Sequence, residues 1–194
     1  MIRETVCGVS LELITDPSLF SPRCIDPGTA AMLSTVRLSP GDRLLDLGCG
    51  YGIVGIWAAK QIGADRVTMV DVDNCAVELA KLNAERNDVA GAHVFSSDGI
   101  AAVQDRDFTW ILCNPPYHAD FSVAKGFIEK GFNRLKIGGR FVLVAKRRTW
   151  YKKKMISVFG GVMITDISGY SVFTAEKRSQ SFAKGRQLMG GTKE

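Results

Sequence analysis

The four residues Asn114-Pro115-Pro116-Tyr117 place an amide, two prolines and an aromatic ring directly after a strand-like stretch, residues 108–113. A planar amine is a poor nucleophile until acceptors take its N–H bonds and turn its lone pair outward. The Asn114 side-chain oxygen and the Pro115 carbonyl are suitable acceptors, because prolines fix φ and stiffen the loop. Tyr117 can stack on a flat target. The motif indicates either a site for a planar amino group or a strand-terminating turn.

A glycine-rich segment, Gly48-Cys49-Gly50-Tyr51-Gly52, lies between a strand-like stretch, residues 43–47, and a helix-like stretch, residues 53–62. Glycines let the backbone approach a ligand closely, and the N–H groups at a helix N-terminus attract an anion or carboxylate. A second strand, residues 66–70, ends at Asp71, whose carboxylate can accept hydrogen bonds from both hydroxyls of a ribose. These elements together predict one βαβ nucleotide-binding unit.

The identity of that nucleotide is ambiguous, because Gly50, Gly52 and Gly55 also satisfy the G-x-G-x-x-G pattern of dinucleotide-binding proteins. Asp46 favours S-adenosylmethionine, since a carboxylate just before the glycines can anchor the loop and reach a methionine ammonium. The chain is also short for the separate substrate domain that most dehydrogenases carry. A nicotinamide-dependent oxidoreductase stays open as the alternative.

Asp98 follows a third strand-like stretch, residues 93–96, within the segment Ser97-Asp98-Gly99. Asp-Gly is a strong turn dipeptide, so a surface turn is one interpretation. The position at the end of a core strand favours the other, in which the Asp98 carboxylate accepts a hydrogen bond from an adenine amine.

Strand-like and helix-like stretches alternate along the chain, which predicts an α/β fold with a parallel sheet and helices on both faces. Residues 4–14 are expected to form an amino-terminal strand or hairpin, and Ser168-Gly169 is a two-residue hairpin signal. Further helices are expected at residues 28–36, 75–87 (with Asn74 as N-cap), 124–135 and 149–159, and further strands at 140–145, 162–167 and 170–176. The ligand crevice is then expected at the carboxyl ends of the strands, where the motifs fall.

The composition fits one soluble globular domain, with 194 residues of which 46% are hydrophobic. No apolar run approaches the roughly 20 residues of a membrane span, and the amino terminus lacks the apolar stretch of a signal peptide. The five cysteines form no C-x-x-C pair, so neither a disulfide framework nor a zinc site is indicated. We expect a cytoplasmic monomer that binds no metal and no membrane.

The net charge of +5 suggests a polyanionic partner. Residues 146–154 contain six cations and two aromatic side chains just past a core strand, on the rim expected to carry Asn114. Cations there can hold phosphates while an aromatic ring stacks on a base, which favours RNA binding over a solvated helix face. The expected RNA contacts are Lys146, Arg147, Arg148, Trp150 and Lys152.

Together, the segment from Asp46 to Gly52, Asp71, Asp98 and the Asn-Pro-Pro-Tyr loop resemble a class I S-adenosylmethionine-dependent methyltransferase. More narrowly, the chain resembles the small-methyltransferase-domain group that contains 16S ribosomal RNA guanine-N2 methyltransferases. The narrower likeness includes Leu19-Phe20-Ser21-Pro22, Ile25-Asp26-Pro27-Gly28-Thr29 and Gly169-Tyr170-Ser171-Val172-Phe173, and it runs from about residue 10 to residue 178. Two-domain members carry an extra amino-terminal half, so the single-domain members are the better comparison.

The resemblance implies a Rossmann-like, mostly parallel seven-stranded sheet with a C-terminal antiparallel hairpin, and S-adenosylmethionine as the cofactor. It implies methylation of an exocyclic base amine of RNA, above all guanine N2 of small-subunit ribosomal RNA. The catalytic loop would be Asn114, Pro115, Pro116 and Tyr117. The cofactor would contact Asp26, Thr29, Asp46, Gly48, Cys49, Gly50, Asp71, Val72, Asp98, Gly99 and Asn114, with Asp26 and Thr29 over its methionine end.

The expected organisation is a cofactor-covering segment at residues 1–30, a methyltransferase domain at 31–178 and a flexible basic tail at 179–194. No strong general base is needed if the proton leaves after transfer, although His118 is a candidate relay. Three alternatives stay open besides guanine N2 methylation. They are methylation of adenine N6 or of a glutamine side-chain amide, a non-catalytic RNA-binding module, and the nicotinamide oxidoreductase.

Overall fold

Nine strands and five α-helices succeed one another in the computed structural model, which describes residues 1–115 and 121–182. The strands are β1 (Ile2–Val6), β2 (Val9–Leu13), β3 (Leu44–Leu47), β4 (Val67–Asp71), β5 (His93–Ser96), β6 (Phe108–Cys113), β7 (Leu135–Ala145), β8 (Met163–Ile167) and β9 (Tyr170–Glu176). The helices are α1 (Pro27–Thr35), α2 (Ile53–Ile62), α3 (Asn74–Arg86), α4 (Phe121–Arg134) and α5 (Arg148–Phe159). Pro116, Tyr117, His118 and most of the basic tail lie outside the described residues.

The main sheet has seven strands in the order β5-β4-β3-β6-β7-β9-β8, and β9 alone runs antiparallel to its neighbours. The expected mostly parallel sheet with an antiparallel hairpin is therefore confirmed. The chain winds outward from β3 to β5 and then returns to place β6 beside β3, so the order reverses between β3 and β6. Ligands bind at such a reversal, at the carboxyl ends of the strands.

The helices cover both faces of the sheet, and α1, α2 and α3 share one face while α4 and α5 share the other. Along β3, Leu45 and Leu47 pack in the α4 and α5 core, whereas Leu44 packs in the opposite core. Asp46 must face the α2 side as well, because side chains alternate along a strand. None of the helices in the described part of the chain is both long and apolar enough to cross a membrane.

Most helices and strands begin or end one to three residues away from the predicted position, and two of the differences have a clear physical cause. The strand expected at residues 140–145 begins at Leu135, because Gly138 with φ +81° allows a bulge opposite Phe108 and Trp110. The N-cap of α3 is Asp73 and not Asn74, since the Asp73 side chain accepts a hydrogen bond from the Cys75 N–H at 2.8 Å. The hairpin signal was correct, and both Ser168 and Gly169 have the positive φ that a two-residue turn requires.

The amino-terminal hairpin of β1 and β2 is held against α3 by two buried asparagines, Asn83 and Asn87, that sequence analysis missed. Asn83 bonds the backbone N–H and C=O of Ile14 at 2.7 and 2.8 Å. Asn87 bonds both backbone groups of Glu12 at 3.1 and 2.7 Å. The two side-chain amides thus make the backbone hydrogen bonds that a neighbouring strand would otherwise make at this edge of β2.

Candidate active site

A cavity of about 450 Å³ opens at the carboxyl ends of β3, β4, β5 and β6, within the size range of ligand sites. Phe20, from the segment Leu19-Phe20-Ser21-Pro22 that carries the family likeness, lines it together with Val123 and Phe127, which the sequence analysis did not identify. Val123 and Phe127 lie four residues apart on one face of α4, which is the spacing that could have identified them. The cavity also collects the sequence-selected residues Asp26, Thr29, Asp46, Gly48, Cys49, Gly50, Asp71, Val72, Asp98, Gly99, Asn114 and Pro115.

The glycine loop between β3 and α2 is tied to the end of β4. The backbone N–H groups of Gly48 and Cys49 both donate to the Val70 carbonyl at 2.9 Å, and the Gly50 N–H donates to the Asp71 carboxylate at 2.8 Å. Gly50 has φ +53°, a conformation that side chains other than glycine rarely adopt. These bonds curl the loop around one side of the cavity.

The Asp71 carboxylate is oriented by two backbone donors. Its Oδ2 accepts from Gly50 at 2.8 Å and its Oδ1 accepts from the Asp73 N–H at 3.0 Å. An ionised carboxylate has about four acceptor positions, so each oxygen retains one for a ligand that enters the cavity. A pair of neighbouring hydroxyls would match two parallel oxygens held in this way.

Asp46 is a buried carboxyl, 2% exposed, that faces α2 as its place in β3 requires. Its Oδ2 accepts a hydrogen bond from the Gly55 N–H at 2.8 Å. A side chain at Gly55 would put its Cβ 2.2 Å from Met69, so glycine permits this close approach of α2. Burial raises the pKa of Asp46 to about 7, the negative charge of Asp71 adds to the rise, and the Gly55 hydrogen bond opposes it.

We expect the free energy of unfolding of the ligand-free protein to carry a contribution from Asp46 that decreases between about pH 4 and pH 7. The folded protein keeps the Asp46 proton up to a pKa of about 7, whereas the unfolded chain releases it near 3.8. This contribution is fully present below the unfolded pKa and is lost as the pH rises through the folded one. A pKa difference of this size between the folded and unfolded states corresponds to a contribution on the order of a few kcal/mol to the free energy of unfolding.

Urea unfolding at several pH values between about 5 and 8 measures this contribution as the difference between wild type and Asp46→Asn. Asparagine can still accept from the Gly55 N–H, and it has no charge to bury, so the variant should lack the slope. The difference between the two proteins should change steadily up to neutral pH and then level off. A constant difference would show that Asp46 titrates normally.

Asn114 occupies the first position after β6, and its amide nitrogen is held by the start of α1. The Asn114 Nδ2 donates to Asp26 Oδ2 at 3.0 Å and to Thr29 Oγ1 at 2.9 Å. Asp26 and Thr29 are 6% and 5% exposed. The Asn114 Oδ1 is buried and has no hydrogen-bond partner among the described residues. An unmet buried acceptor costs about 1–3 kcal/mol, which a ligand N–H would recover.

The buried thiols near the cavity are poor nucleophiles. Burial raises the pKa of Cys49 and of Cys113 well above the usual thiol value, and the Asp46 and Asp71 charges add to the rise. Both therefore remain protonated thiols at neutral pH. Tyr51 is likewise neutral, because burial raises the pKa of its hydroxyl, which donates to the Ser21 carbonyl at 2.8 Å. In its described part the site thus offers hydrogen-bond acceptors and apolar walls, and Cys49, Cys113 and Tyr51 stay neutral.

The basic segment, residues 146–154, begins at the carboxyl end of β7 and continues into α5, at the edge of the sheet where the cavity opens. Lys146 lies 4.9 Å from the centre of the Tyr170 ring, and the Arg147 guanidinium lies 5.5 Å from that of Phe121. Trp150 stacks on Phe121 at 4.3 Å, so one face of its indole is covered. Phe121 is the first residue of α4, directly after residues 116–120.

Only part of this segment is neutralised by acidic side chains. Arg148 pairs with Asp166, and Lys154 pairs with Glu129. Within the described ranges, Lys146, Arg147, Lys152 and Lys153 form no ion pair and are exposed. Four unpaired cations thus border the edge of the sheet at which the cavity opens.

Comparison with known proteins gives consistent matches. Residues 10–174 match the family model described as Methyltransferase small domain. A Pseudomonas putida protein named ribosomal RNA small subunit methyltransferase C is 31% identical over 172 residues, which cover 86% of this chain and 51% of that protein. The chain therefore spans about half the length of the curated relatives it matches.

Solved structures agree with this match. The T. thermophilus 16S rRNA N2 methyltransferase, in complex with AdoMet and guanosine, superposes with a TM-score of 0.84 at 28% identity, covering 91% of this chain and 50% of that one. A methyltransferase from Pyrococcus furiosus superposes with a TM-score of 0.70 at 22% identity, covering 87% of this chain and 90% of that one. The second likeness supports the fold alone.

Proposed function

Since this chain belongs to the methyltransferase small domain family, we propose that it transfers a methyl group from S-adenosylmethionine to an exocyclic amine of an RNA base. Guanine N2 of small-subunit ribosomal RNA is the proposed substrate. The observation that carries this proposal is the buried, unpartnered Asn114 Oδ1 at the cavity, which calls for a ligand N–H. The names of the ribosomal RNA methyltransferases it resembles support the choice of RNA.

The lining of the cavity fits S-adenosylmethionine. Asp46 is a buried carboxyl that forms no ion pair with any cation of the described chain, so it suits the ammonium of a methionine. Asp71 would hold the ribose hydroxyls and Asp98 the adenine amine, with Val72 and Phe127 as apolar contacts. When bound, the sulfonium supplies a methyl group that is already activated for transfer. Family membership thus favours the methyl donor over the nicotinamide cofactor that the glycine spacing alone also allowed.

The contribution of the protein to the reaction is orientation. The Asn114 Oδ1 and the Pro115 carbonyl would take the two N–H bonds of the amine, which turns its lone pair toward the methyl carbon. Pro115 is buried and lines the same cavity as Asn114. The amine loses its proton after transfer, so no strong base is required. Stacking by Tyr117 and a relay through His118 remain predictions.

The amino-terminal segment contributes to the same site and would cover part of the bound cofactor. Phe20 lines the cavity, and the Ser21 carbonyl accepts the Tyr51 hydroxyl at 2.8 Å. This contact joins the segment before α1 to the glycine loop. Residues 1–30 would then act with the methyltransferase domain, residues 31–178, and not as a separate unit.

The proposed RNA surface consists of Lys146, Arg147, Arg148, Trp150 and Lys152. Stacking of aromatic rings beneath Lys146 and Arg147 limits the motion of these cations, so less side-chain entropy is lost when they bind phosphates. Trp150 has one ring face against Phe121, and only the remainder of its indole could contact a base. We therefore expect phosphate contacts to contribute more to the binding of RNA at this surface than base stacking does.

Charge reversal at Arg147 is expected to weaken binding of ribosomal RNA about tenfold at 0.1 M salt and to make the salt dependence shallower by about one unit of slope. The reason is the loss of one phosphate contact and of the counterion it releases. Filter binding across a salt series measures both quantities. Arg66→Glu is the matched control, because Arg66 is exposed and precedes β4 at the opposite edge of the sheet. An identical salt slope for Arg147→Glu and wild type would remove Arg147 from the RNA surface.

The substrate is identified by incubating the protein with S-adenosylmethionine labelled in its methyl group and with either naked ribosomal RNA or small ribosomal subunits. Nucleoside analysis of the product then reports which base and which atom carry the label. Labelled N2-methylguanosine is the expected product. Label in N6-methyladenosine or in protein would redirect the assignment to the other amines considered, and no transfer beyond the Asn114→Ala background would contradict it.

A further inference from the structure

Asp26 and Thr29 are expected to lie over the methionine end of the cofactor, and both line the cavity. Both side chains also accept hydrogen bonds from the Asn114 amide nitrogen. We infer that Asp26, assisted by Thr29, is a positioning residue that decides which atom of the Asn114 amide meets the substrate. The catalytic consequence of this inference rests on the proposed function. The orientation of the Asn114 amide does not depend on the proposed function, so it can be tested separately.

An asparagine amide has nearly the same shape in its two flipped orientations, but the orientations differ in chemistry. One presents an oxygen that accepts, and the other presents an NH₂ that donates. A donor facing the substrate amine would oppose its N–H bonds and turn the reaction off. Packing alone discriminates poorly between the two orientations, so the selection must come from hydrogen-bond partners.

The Asp26 carboxylate provides that selection, because an ionised carboxylate can only accept hydrogen bonds. Its Oδ2 lies 3.0 Å from the Asn114 Nδ2, so the flipped amide would bring two acceptor oxygens together at that distance. Thr29 Oγ1 accepts from the same nitrogen at 2.9 Å. Both partners are buried, which leaves little access for water to take their place.

Asp26 is itself fixed by the start of α1. As N-cap, its Oδ2 accepts from the Thr29 N–H at 2.9 Å, and its backbone carbonyl accepts from Ala30 at 3.0 Å. The preceding residue, Ile25, donates its N–H to Glu4 of β1 at 3.2 Å. The amide is therefore set by a helix cap that reaches across from a different part of the chain.

This arrangement also restricts the substrate class. With its nitrogen held by Asp26, Asn114 can offer the substrate only an acceptor, so the group it recognises must carry N–H or O–H. An atom that presents only a lone pair, such as a base carbonyl oxygen or an unprotonated ring nitrogen, would meet the Asn114 oxygen and be rejected. Asp26 thus contributes to the choice of an amine as methyl acceptor.

Two substitutions at Asp26 separate this role from that of a helix cap. Serine caps a helix well but is too short to reach Asn114, whereas asparagine keeps one oxygen that can accept from both Thr29 and Asn114. We expect Asp26→Ser to lower kcat about tenfold with S-adenosylmethionine affinity within about twofold of wild type. Asp26→Asn should keep most of the activity, and both variants should unfold near the wild-type temperature.

The orientation itself is measured by NMR of the Asn114 side-chain NH₂ group, identified by its loss in Asn114→Ala. These protons should exchange slowly with solvent in wild type and in Asp26→Asn, and roughly tenfold faster in Asp26→Ser. Unchanged Asn114 signals in Asp26→Ser would overturn the inference. So would weakened cofactor binding at normal kcat, which would return Asp26 to the cofactor site. A wild-type protein that transfers no methyl group contradicts the proposed function, whereas the exchange data still decide the inference.

Discussion

Asn114→Ala is expected to reduce methyl transfer roughly a hundredfold or more, while the affinity for S-adenosylmethionine stays within about threefold of wild type. The substitution removes a buried side-chain acceptor that lines the cavity and has no partner among the described residues, and with it the means of turning the lone pair of the amine. Asp26 Oδ2 retains the Thr29 N–H as a donor, so the fold loses little. Turnover with labelled cofactor and calorimetric titration measure the two quantities independently.

Asn133→Ala is the matched control for this substitution. Asn133 lies on α4 and is exposed, and its side-chain Nδ2 donates to the Glu129 carbonyl of its own helix at 3.3 Å. The control should behave as wild type in both assays. If Asn114→Ala lost cofactor affinity and turnover to the same degree, Asn114 would be a cofactor contact and the role assigned to its oxygen would be wrong.

The second large effect is expected at Asp71, where alanine should raise the dissociation constant for S-adenosylmethionine about a hundredfold. The Asp71 carboxylate accepts hydrogen bonds from the Gly50 and Asp73 N–H groups and so fixes the glycine loop. It also lines the cavity, where it would bind the cofactor. Hydrogen bonds to a charged group contribute about 1.5–3 kcal/mol each. Asp71→Ala loses the hydrogen bonds between the carboxylate and the ligand, and it also removes the bonds that fix the glycine loop. Isothermal titration calorimetry reports the affinity directly.

Asp65→Ala serves as the comparison for Asp71→Ala, since Asp65 is an exposed carboxylate in the turn before β4. Its affinity for the cofactor should equal that of wild type. Asp71→Asn should fall between wild type and Asp71→Ala, because the amide retains a single acceptor oxygen. Wild-type affinity in Asp71→Ala would exclude Asp71 from the cofactor site and with it the proposed contact to the ribose.

The sequence predicted most of the fold because its strands and helices have clear local signals. Residues 53–62 and 108–113 were predicted with the boundaries that the structure shows, since each is an apolar run between turn residues. The errors occurred where distant contacts override local preference. Leu135 was predicted to end a helix, but it begins β7 and pairs with Phe108. Asn83 is a polar residue of α3 that is buried because its amide bonds the backbone of Ile14.

The site was predictable only in part for the same reason. Asp46, Asp71 and Asn114 each lie at or next to the carboxyl end of a strand, so their convergence follows from the parallel sheet. The bond between Asp26 and Asn114 joins residues 88 apart in sequence, and no local pattern announces it. The stacking of Trp150 on Phe121 is likewise invisible in the sequence, although it limits what Trp150 can offer to a base.

The two asparagines at the carboxyl end of α3, Asn83 in its last turn and Asn87 as its C-cap, have a consequence for self-association. A free strand edge exposes backbone groups to which another molecule can add a strand, which is a common route to aggregation. Asn83 and Asn87 occupy the side of β2 that faces α3 and bond the backbone of Glu12 and Ile14 there. The hairpin is thereby closed to a foreign strand on that side, and two side-chain amides protect it without adding a single residue to the sheet.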